Sequence, residues 1–466
     1  MMLEVSDTHD EFSSGPSELI RQTCADEFRS KLEQGEVRLG IRSLTLLARA
    51  AREAMHRQGV PDADTAVTDA TIGDIDVRHD PELYEALGLS HDGDTRVRLD
   101  RDTHDIFVAH EHPEADSLTS YQPEAIGFAQ LRQAFADQLS QYGISFEKDE
   151  TVVSYGSLSG IDNLLGTLFA RARESGKSIN LIFPSPGFSV IAAQAKRRGI
   201  PVTHILTDAT DGYCVRTNDL KPALGEPSDD VSVLYLTPMN NPTSTVYDTR
   251  ILKETVQKFH ELRPSGIILV DLAYMDMIPE EQTKIVLACF SQPHILSATV
   301  FATSLSKSYG EPRLRAGALL TKNQKILHEL MVQWQTVFAS VSSQTEVAAL
   351  VKLKGITKET REAMYDLFRK RQDMLLGKIE RANAKRQEEG KPPLLDMSSV
   401  FGDIPLYIYA KLHDGVDFLD LFVQTGIMGV PGEVFGDDPK RNMIRLSVGM
   451  LHVAPEAPDP ALASDS

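Results

Sequence analysis

The sequence predicts an α/β fold with a mainly parallel sheet that is covered by helices on both faces. From about residue 120 onward, short apolar, β-branched runs alternate with segments of helical length. Such runs, bounded by turns and separated by helices, are typical of strands that are buried on both faces of a sheet. The chain has 466 residues, of which 41% are hydrophobic and 25% are charged, and this composition is ordinary for a globular protein.

The elements follow one another in the order that this fold requires. Two helices are predicted before the sheet, over 17–36 and 42–55, and a polar excursion is predicted over 90–120. The predicted strands of the sheet are 151–155, 180–183, 231–236, 266–270, 299–303 and 316–320. The helices between them are predicted over 159–173, 187–198 and 250–262. Beyond residue 325 the pattern is helical to about 385, and strand-like runs follow at 405–409 and 443–448.

Net charge and cysteine content limit the expected partners and compartment. Acidic residues outnumber basic residues by 67 to 48, for a formal charge of −19 at pH 7, so we expect no binding to nucleic acid or to membranes. A transcription regulator is the alternative from another class, but the first 70 residues are too few and too mixed in charge for a basic DNA-binding segment. The three cysteines are far apart, no apolar run approaches the length of a membrane span, and no signal peptide is recognisable. A cytoplasmic protein is expected.

Polar side chains follow the predicted strands, where open parallel sheets bind their ligands. Ser304-Leu305-Ser306-Lys307 comes directly after the run at 299–303, and Arg315 lies eight residues beyond Lys307. A desolvated lysine close to cations becomes nucleophilic, and hydroxyls with a guanidinium are good phosphate ligands. The segment therefore indicates a Schiff-base lysine beside a phosphate site. A surface loop with an ordinary lysine and arginine is an equally open alternative.

Asp271 ends the apolar run at 266–270, and Tyr274 follows three residues later. A carboxylate at the end of a buried strand is unfavourable unless it has a partner. If it faced a pyridine nitrogen, it would keep that nitrogen protonated and make the ring an electron sink. Tyr274 could then hydrogen-bond an oxygen on the same ring. The alternative, which this residue pattern alone favours, is an aspartate that caps the following turn.

Four weaker motifs lie at other predicted strand ends or within a late strand. The GSLSG segment at 156–160 precedes a helix, whose first N–H groups can bind an anion, although a tight turn also explains it. Asn241 precedes a proline and either directs its amide into a cleft or forms a plain turn. Phe188 follows a strand and could stack on a planar cofactor, although core packing is more common. Arg445 lies within the run at 443–448, where it needs an anion, either a substrate carboxylate or a structural salt bridge.

Taken in order, these motifs resemble those of the fold type I, pyridoxal-phosphate-dependent aminotransferases of class I and II. The matching elements are Tyr121 with Gly127 and Leu131-Arg132, Gly156-Ser157, Pro186-Gly187-Phe188, Asn241-Pro242-Thr243, Asp271 with Tyr274, Ser304 to Lys307 with Arg315, and Arg445. The resemblance extends over about residues 70–450. It implies a seven-stranded-type large domain over 119–345 and a smaller α+β domain from both termini. The smaller domain would take part of 1–118, which also holds an N-terminal arm, and 346–466, which ends in a flexible tail.

The resemblance also implies the cofactor, the reaction and the roles of residues around the cofactor ring. The cofactor would be pyridoxal 5′-phosphate, and the reaction would move an amino group between an amino acid and a 2-oxo acid by ping-pong chemistry. Lys307 would hold the cofactor aldehyde and later carry a proton. Asp271 would pair with the ring nitrogen, and Phe188 would stack on the ring. Asn241 and Tyr274 would bond the ring oxygen.

The remaining implied roles concern the phosphate, the substrate and a second subunit. The phosphate ligands would be Ser157, Leu158, Ser304, Ser306 and Arg315. Tyr121 would reach the phosphate of the neighbouring subunit, which implies a homodimer with shared active sites. Arg445 would bind the substrate α-carboxylate, and Gly73 would lie in a loop that closes over the substrate.

Some features depart from the family pattern or leave the chemistry open. Ser244 stands where the family usually has glycine after Asn-Pro-Thr, and the segment from Tyr121 to Gly127 is one residue longer than is common. The same site residues also serve a lyase, a cyclase or an oxidase acting on an amino acid. The reaction depends on which bond of the substrate Cα stands perpendicular to the ring. No metal site is predicted, because His110-Glu111-His112 lies in an acidic, solvated segment.

Overall fold

The computed structural model of this chain describes residues 20, 24–37, 39–58, 60, 63–71, 126–337 and 341–451. Several sequence predictions fall outside these residues. They are the roles of Gly73 and Tyr121, the polar excursion over 90–120 with its histidines, and the flexible tail.

Strands and helices alternate through the middle of the chain, as predicted. The strands are β1 (Thr68–Asp69), β2 (Thr151–Ser154), β3 (Ile179–Ser185), β4 (Val202–Leu206), β5 (Val231–Leu236), β6 (Ile267–Asp271), β7 (Thr299–Ser304), β8 (Gly317–Thr321), β9 (Tyr407–Lys411), β10 (Ile427–Met428), β11 (Val430–Pro431) and β12 (Met443–Ser447). The helices are α1 (Asp26–Glu33), α2 (Ile41–Arg57), α3 (Ala63–Ala66), α4 (Ala129–Ser140), α5 (Gly156–Glu174), α6 (Val190–Arg197), α7 (Thr217–Leu224), α8 (Thr249–Leu262), α9 (Glu280–Ala288), α10 (Pro293–Ser297), α11 (Gln324–Val337), α12 (Ser343–Gly355), α13 (Lys358–Glu388) and α14 (Phe418–Thr425). Within the described ranges, none of the helices combines the length and the apolar character that a bilayer crossing needs.

The central sheet has seven strands in the order β2–β8–β7–β6–β5–β3–β4. The strands β4, β3, β5, β6 and β7 are parallel, and β8 runs antiparallel to both of its neighbours. The predicted α/β fold with a mainly parallel sheet is therefore confirmed. Every residue of β5, β6 and β7 is buried, which explains why these strands are continuous apolar runs in the sequence. The register pairs Asp271 with Ala302 and Ser304 with Gly317, so the ends of β6 and β7 meet at one edge.

Three elements of the central sheet and its covering helices illustrate how the structure differs from the prediction. Helix α5 begins at Gly156 instead of residue 159, because Gly156 has φ +67° and lets the chain turn from β2 directly into the helix. Helix α6 begins at Val190 instead of residue 187. The edge strand β4 is missing from the prediction, since most of its residues are partly or fully exposed and it lacks an apolar run.

Residues from both ends of the described chain form two small sheets. Strand β1 pairs in parallel with β10, and β11, β12 and β9 form an antiparallel sheet. The Ser447 N–H also donates to Ala70 O at 2.8 Å, which joins the two small sheets. This arrangement is the smaller α+β part that was expected from both termini. The domain limits at 118/119 and 345/346 stay a prediction.

A buried ion pair holds the segment between β7 and β8 against helix α12. Lys352 Nζ lies 3.0 Å from Glu311 Oε1, and the side chains are 5% and 7% exposed. Burial raises the pKa of Glu311, and the charge of Lys352 opposes that rise. The same segment carries Lys307 and Arg315. Because a buried charge is strongly unfavourable without its partner, the pair constrains the position of this segment.

We expect Lys352→Met to lower the free energy of unfolding by about 3 kcal/mol, because the Glu311 carboxylate is then buried without its cation. Combining it with Glu311→Gln removes both charges and should recover at least half of that loss. Denaturant titration measures both effects. Lys258→Met removes only an exposed pair with Glu261 and should change stability by less than about 1 kcal/mol. Equal stability of the single and double variants would contradict the coupling.

Candidate active site

A cavity of about 140 Å³ lies at the carboxyl ends of the central strands. This is the edge of an open α/β sheet where ligands bind. The residues that line it stand at or after the ends of β2, β3, β5, β6 and β7. They are Ser157, Leu158, Phe188, Tyr235, Thr237, Asn241, Asp271, Ala273, Tyr274, Ser304, Ser306, Lys307, Pro312 and Arg315.

Asp271, the last residue of β6, provides a buried carboxylate in the cavity wall. Tyr235 OH donates to its Oδ2 at 3.0 Å, and the Ala273 N–H donates to its Oδ1 at 3.1 Å. The Phe183 ring stacks parallel to the Tyr235 ring, with 5.6 Å between centroids. Burial raises the pKa of Asp271 to about 6, although both hydrogen bonds act to lower it. The bond from Ala273 is the turn cap considered as the alternative, so Asp271 both caps the turn and lines the cavity.

The amide of Asn241 connects a tyrosine of the cavity with a buried arginine. Asn241 Nδ2 donates to Tyr274 OH at 2.9 Å, and Asn241 Oδ1 accepts from Arg445 Nη1 at 2.7 Å. Arg445 lies on β12, and its Nη2 donates to Thr71 O at 2.6 Å. Both partners of the guanidinium are neutral oxygens, so the structural salt bridge considered as an alternative is not formed by these contacts. Burial lowers the pKa of Arg445.

A second set of lining residues has the chemistry of an anion site. Ser304 Oγ donates to Ser306 Oγ at 2.8 Å, and Arg315 Nη1 lies 3.5 Å from Ser306 Oγ. Because α5 begins at Gly156, the N–H groups of residues 157 and 158 belong to its first turn, where no helix carbonyl precedes them. A Cβ at position 156 would lie 2.9 Å from Arg315 Nη2, so glycine permits the guanidinium to approach the helix start. Hydroxyls, a guanidinium and a helix N-terminus together suit a phosphate.

The sequence matches the model of the family described as "Aminotransferase class I and II" over residues 100–450, well over half of the chain. The chain belongs to this family. The transaminase predicted from the order of the motifs is thereby confirmed.

Individual relatives of this aminotransferase are distant in sequence but similar in fold. The aspartate aminotransferase of Sulfurisphaera tokodaii is 22% identical over 333 residues, which cover 71% of this chain and 78% of that protein. The LL-diaminopimelate aminotransferase of Parabacteroides distasonis is 26% identical over 330 residues, 69% of this chain and 76% of that protein. The crystal structure of the aspartate aminotransferase from Rhizobium meliloti has a TM-score of 0.63 at 17% identity, and the match covers 87% of this chain and 92% of that chain. This last likeness shows the fold.

Every predicted site residue of this aminotransferase that the structure describes lines the cavity, apart from Arg445. Arg445 is joined to the cavity through Asn241. The sequence analysis missed two tyrosines. Tyr235 donates to Asp271, and the hydroxyl of Tyr407 lies 3.2 Å from Tyr274 OH. The available indication was a tyrosine inside an otherwise apolar strand, because a buried phenol usually needs a hydrogen-bond partner.

We expect Asp271→Asn to change how the stability of the ligand-free protein depends on pH. The folded pKa of Asp271, about 6, lies above its ordinary value of 3.8. The folded protein therefore keeps a proton that the unfolded chain loses, and wild-type stability falls between those two pH values. Asparagine does not titrate. As the pH rises through this range, the free energy of unfolding of the variant should therefore increase by about 3 kcal/mol relative to that of the wild type.

Denaturant titrations at about pH 4 and about pH 7 measure that gain. Asp396→Asn is the control. Hydrogen bonds from Ser398 lower the pKa of Asp396 below 3.8, so Asp396 stays ionised over most of this pH range and the difference in stability between Asp396→Asn and wild type should be nearly the same at both pH values. If the free energies of unfolding of Asp271→Asn and wild type differ by the same amount at both pH values, Asp271 has an ordinary pKa.

Proposed function

We propose that this aminotransferase binds pyridoxal 5′-phosphate in the cavity and uses it to move an amino group between an amino acid and a 2-oxo acid. One observation carries the proposal. A single cavity combines the buried carboxylate of Asp271 with the anion site of Ser304, Ser306 and Arg315. Pyridoxal phosphate bears a protonatable ring nitrogen and a phosphate, which match these two features.

The surroundings of Asp271 support this cofactor. Its hydrogen-bond donors, Tyr235 and Ala273, are neutral, and burial raises its pKa. A protonated ring nitrogen would add the positive charge that stabilises a buried carboxylate. The Asn241 amide and the Tyr274 hydroxyl are suitable donors for the ring oxygen.

When bound, pyridoxal phosphate supplies an aldehyde that can take up an amino group and a ring that accepts electrons released at the substrate Cα. Lys307 Nζ would hold the aldehyde carbon, and the same amine, once free, would carry the proton of the substrate Cα. Asp271 would keep the ring nitrogen protonated, and Phe188 would cover the ring. Arg445 binds the α-carboxylate and so orients the Cα bond that reacts.

The anion site would anchor the phosphate, so the cofactor would stay in place while substrates exchange. The N–H groups of Ser157 and Leu158 contribute at the helix N-terminus. The hydroxyls of Ser304 and Ser306 and the guanidinium of Arg315 complete the set.

The substrates and the assembly are further parts of the proposal. Two of the relatives are named for aspartate and LL-diaminopimelate, which are both α-amino acids with an ionised side chain. We expect an α-amino acid and a 2-oxo acid here, with Gly73 in a loop over the substrate. In a homodimer, Tyr121 of one subunit would reach the phosphate held by the other, as the resemblance to the family implies. The three cysteines are all free, which fits a cytoplasmic location.

Borohydride treatment of enzyme loaded with pyridoxal phosphate should attach the cofactor to Lys307. Lys307→Ala should lose this label, and its turnover should fall by about 10³-fold or more, because the proton carrier is missing. Peptide mapping and steady-state kinetics measure the two effects. Lys322→Ala is the matched control, since Lys322 pairs with Glu150 and does not line the cavity.

Amino acids mixed with the loaded enzyme should convert the cofactor to pyridoxamine phosphate, which absorbance records. Labelling of a lysine other than Lys307 would overturn the assignment of the amine. Release of ammonia or a cyclic product, with no pyridoxamine phosphate from any amino acid, would indicate the lyase, cyclase or oxidase instead.

Arg445→Lys should raise KM for the amino acid about 30-fold or more and change kcat less, because lysine cannot bind a carboxylate through two N–H groups. Arg441→Lys is the control, since Arg441 bonds Asp208 and Asp437 instead of Asn241. Steady-state kinetics separates KM from kcat. An unchanged KM for Arg445→Lys would show that Arg445 does not bind the substrate carboxylate.

A further inference from the structure

Tyr407, the first residue of β9, contacts two groups of the site that have different tasks. Its side chain is 1% exposed. Its hydroxyl lies 3.2 Å from Tyr274 OH, and the centroid of its ring lies 4.6 Å from Arg445 Cζ. Tyr407 is not among the residues that the motifs of the sequence identify.

The main chain of Tyr407 is held in place by two side chains from other segments. Its carbonyl accepts from Gln372 Nε2 at 2.8 Å and from Ser244 Oγ at 2.9 Å. Ser244 has φ +58°, and its hydroxyl proton is shared between Tyr407 O and Ile404 O, which lies 2.6 Å from Oγ. The serine that replaces the family's usual glycine therefore anchors the strand that presents Tyr407.

We propose that Tyr407 is a positioning residue of this active site, whose hydroxyl directs the Tyr274 proton toward the cofactor ring oxygen and whose ring holds the Arg445 guanidinium. This inference rests on the proposed function and deepens it. It assigns separate tasks to the two parts of one side chain.

The hydrogen-bond capacity of the Tyr274 hydroxyl indicates whether Tyr407 donates to it or accepts from it. Tyr274 OH accepts from Asn241 Nδ2 at 2.9 Å, so it has one lone pair and one proton left. When Tyr407 donates to that lone pair, Tyr274 keeps its proton for an acceptor in the cavity. Burial raises the pKa of Tyr274, so the phenol holds its proton at neutral pH. A phenol that accepts two hydrogen bonds is also the stronger donor, because hydrogen bonds in a chain polarise one another.

The ring of Tyr407 acts on the carboxylate site instead. Arg445 donates to Asn241 and Thr71, and its Nε has no hydrogen-bond partner within the described part of the chain. The Phe435 ring also packs on the guanidinium, with 4.7 Å from centroid to Cζ. Such contacts between a cation and aromatic faces are stronger where water is excluded, as it is here. The two rings therefore set the orientation of a guanidinium that uses only two of its five N–H groups in these hydrogen bonds.

Two substitutions separate the two tasks. Tyr407→Phe keeps the ring and removes the hydroxyl. In the loaded enzyme it should raise the midpoint pH of the cofactor's visible absorbance change by about 0.5 to 1 unit, because the ring oxygen loses donor strength. Its KM for the amino acid should stay within about twofold of wild type, because the ring remains on Arg445.

Tyr407→Leu removes the ring as well as the hydroxyl. It should show the same midpoint as Tyr407→Phe and also a KM raised about tenfold. Tyr409→Phe is the matched control on the same strand, because its buried hydroxyl bonds Asp437 Oδ2 at 2.6 Å. It should leave the midpoint at the wild-type value. Absorbance titration gives the midpoint without reference to turnover.

The outcomes distinguish this inference from the function on which it rests. If wild-type enzyme forms no pH-dependent absorbance with pyridoxal phosphate, the proposed function fails and this inference fails with it. If wild type shows that absorbance and Lys307 is labelled, but Tyr407→Phe leaves the midpoint unchanged, only the role of Tyr407 is overturned. A lowered midpoint would also overturn it, because Tyr274 would then have been donating to Tyr407. Equal KM values for Tyr407→Phe and Tyr407→Leu would overturn the task assigned to the ring.

Discussion

A carboxylate buried at the end of a strand is the constraint on which this structure depends most. Asp271 must end β6 at the sheet edge, and a neighbouring strand supplies Tyr235 as a donor. Phe183 on the next strand, β3, packs against that tyrosine, so the donor is held by the sheet itself. Two neutral donors do not fully offset the burial, and the raised pKa is the consequence. A positive charge that enters the site would stabilise the ionised carboxylate of Asp271. The site is in this sense pre-organised for a cationic group.

The amide of Asn241 connects the cavity to the buried arginine of the site. It is the point where the central sheet and the late strand β12 meet, since one end of the amide bonds Tyr274 and the other bonds Arg445. Thr71, from the beginning of the described chain, accepts from the same arginine. Three distant parts of the sequence therefore determine the position of one guanidinium. Such a group can orient a substrate closely because its own hydrogen bonds leave it little freedom.

The segment between β7 and β8 carries residues that line the cavity and is itself held by a buried ion pair. It carries an amine and a guanidinium that line the cavity, at Lys307 and Arg315. The buried pair of Glu311 with Lys352 ties the same segment to helix α12. Arg315 itself has φ +56°, a conformation that is uncommon for a residue with a side chain. The structure therefore holds in place a segment that would otherwise adopt other conformations.

The sequence by itself determined the fold class and most of the cavity wall. Buried parallel strands need continuous apolar runs, and the residues that follow such runs must meet at one edge of the sheet. The positions of Lys307, Asp271 and Asn241 follow from these two rules alone. Strand β4 does not follow from them, because an edge strand is only partly buried and leaves no apolar run.

Only the tertiary structure decided which side chains support the site residues. Tyr235 and Tyr407 look like core tyrosines in their strands, and their tasks depend on which hydroxyl or carboxylate lies within about 3 Å of them. Ser244 looks like a departure from the family, yet its hydroxyl bonds Ile404 and Tyr407 across 160 residues of sequence or more. The physical reason is that a strand's burial is encoded locally in its own residues. A hydrogen bond between distant segments is set by their three-dimensional packing.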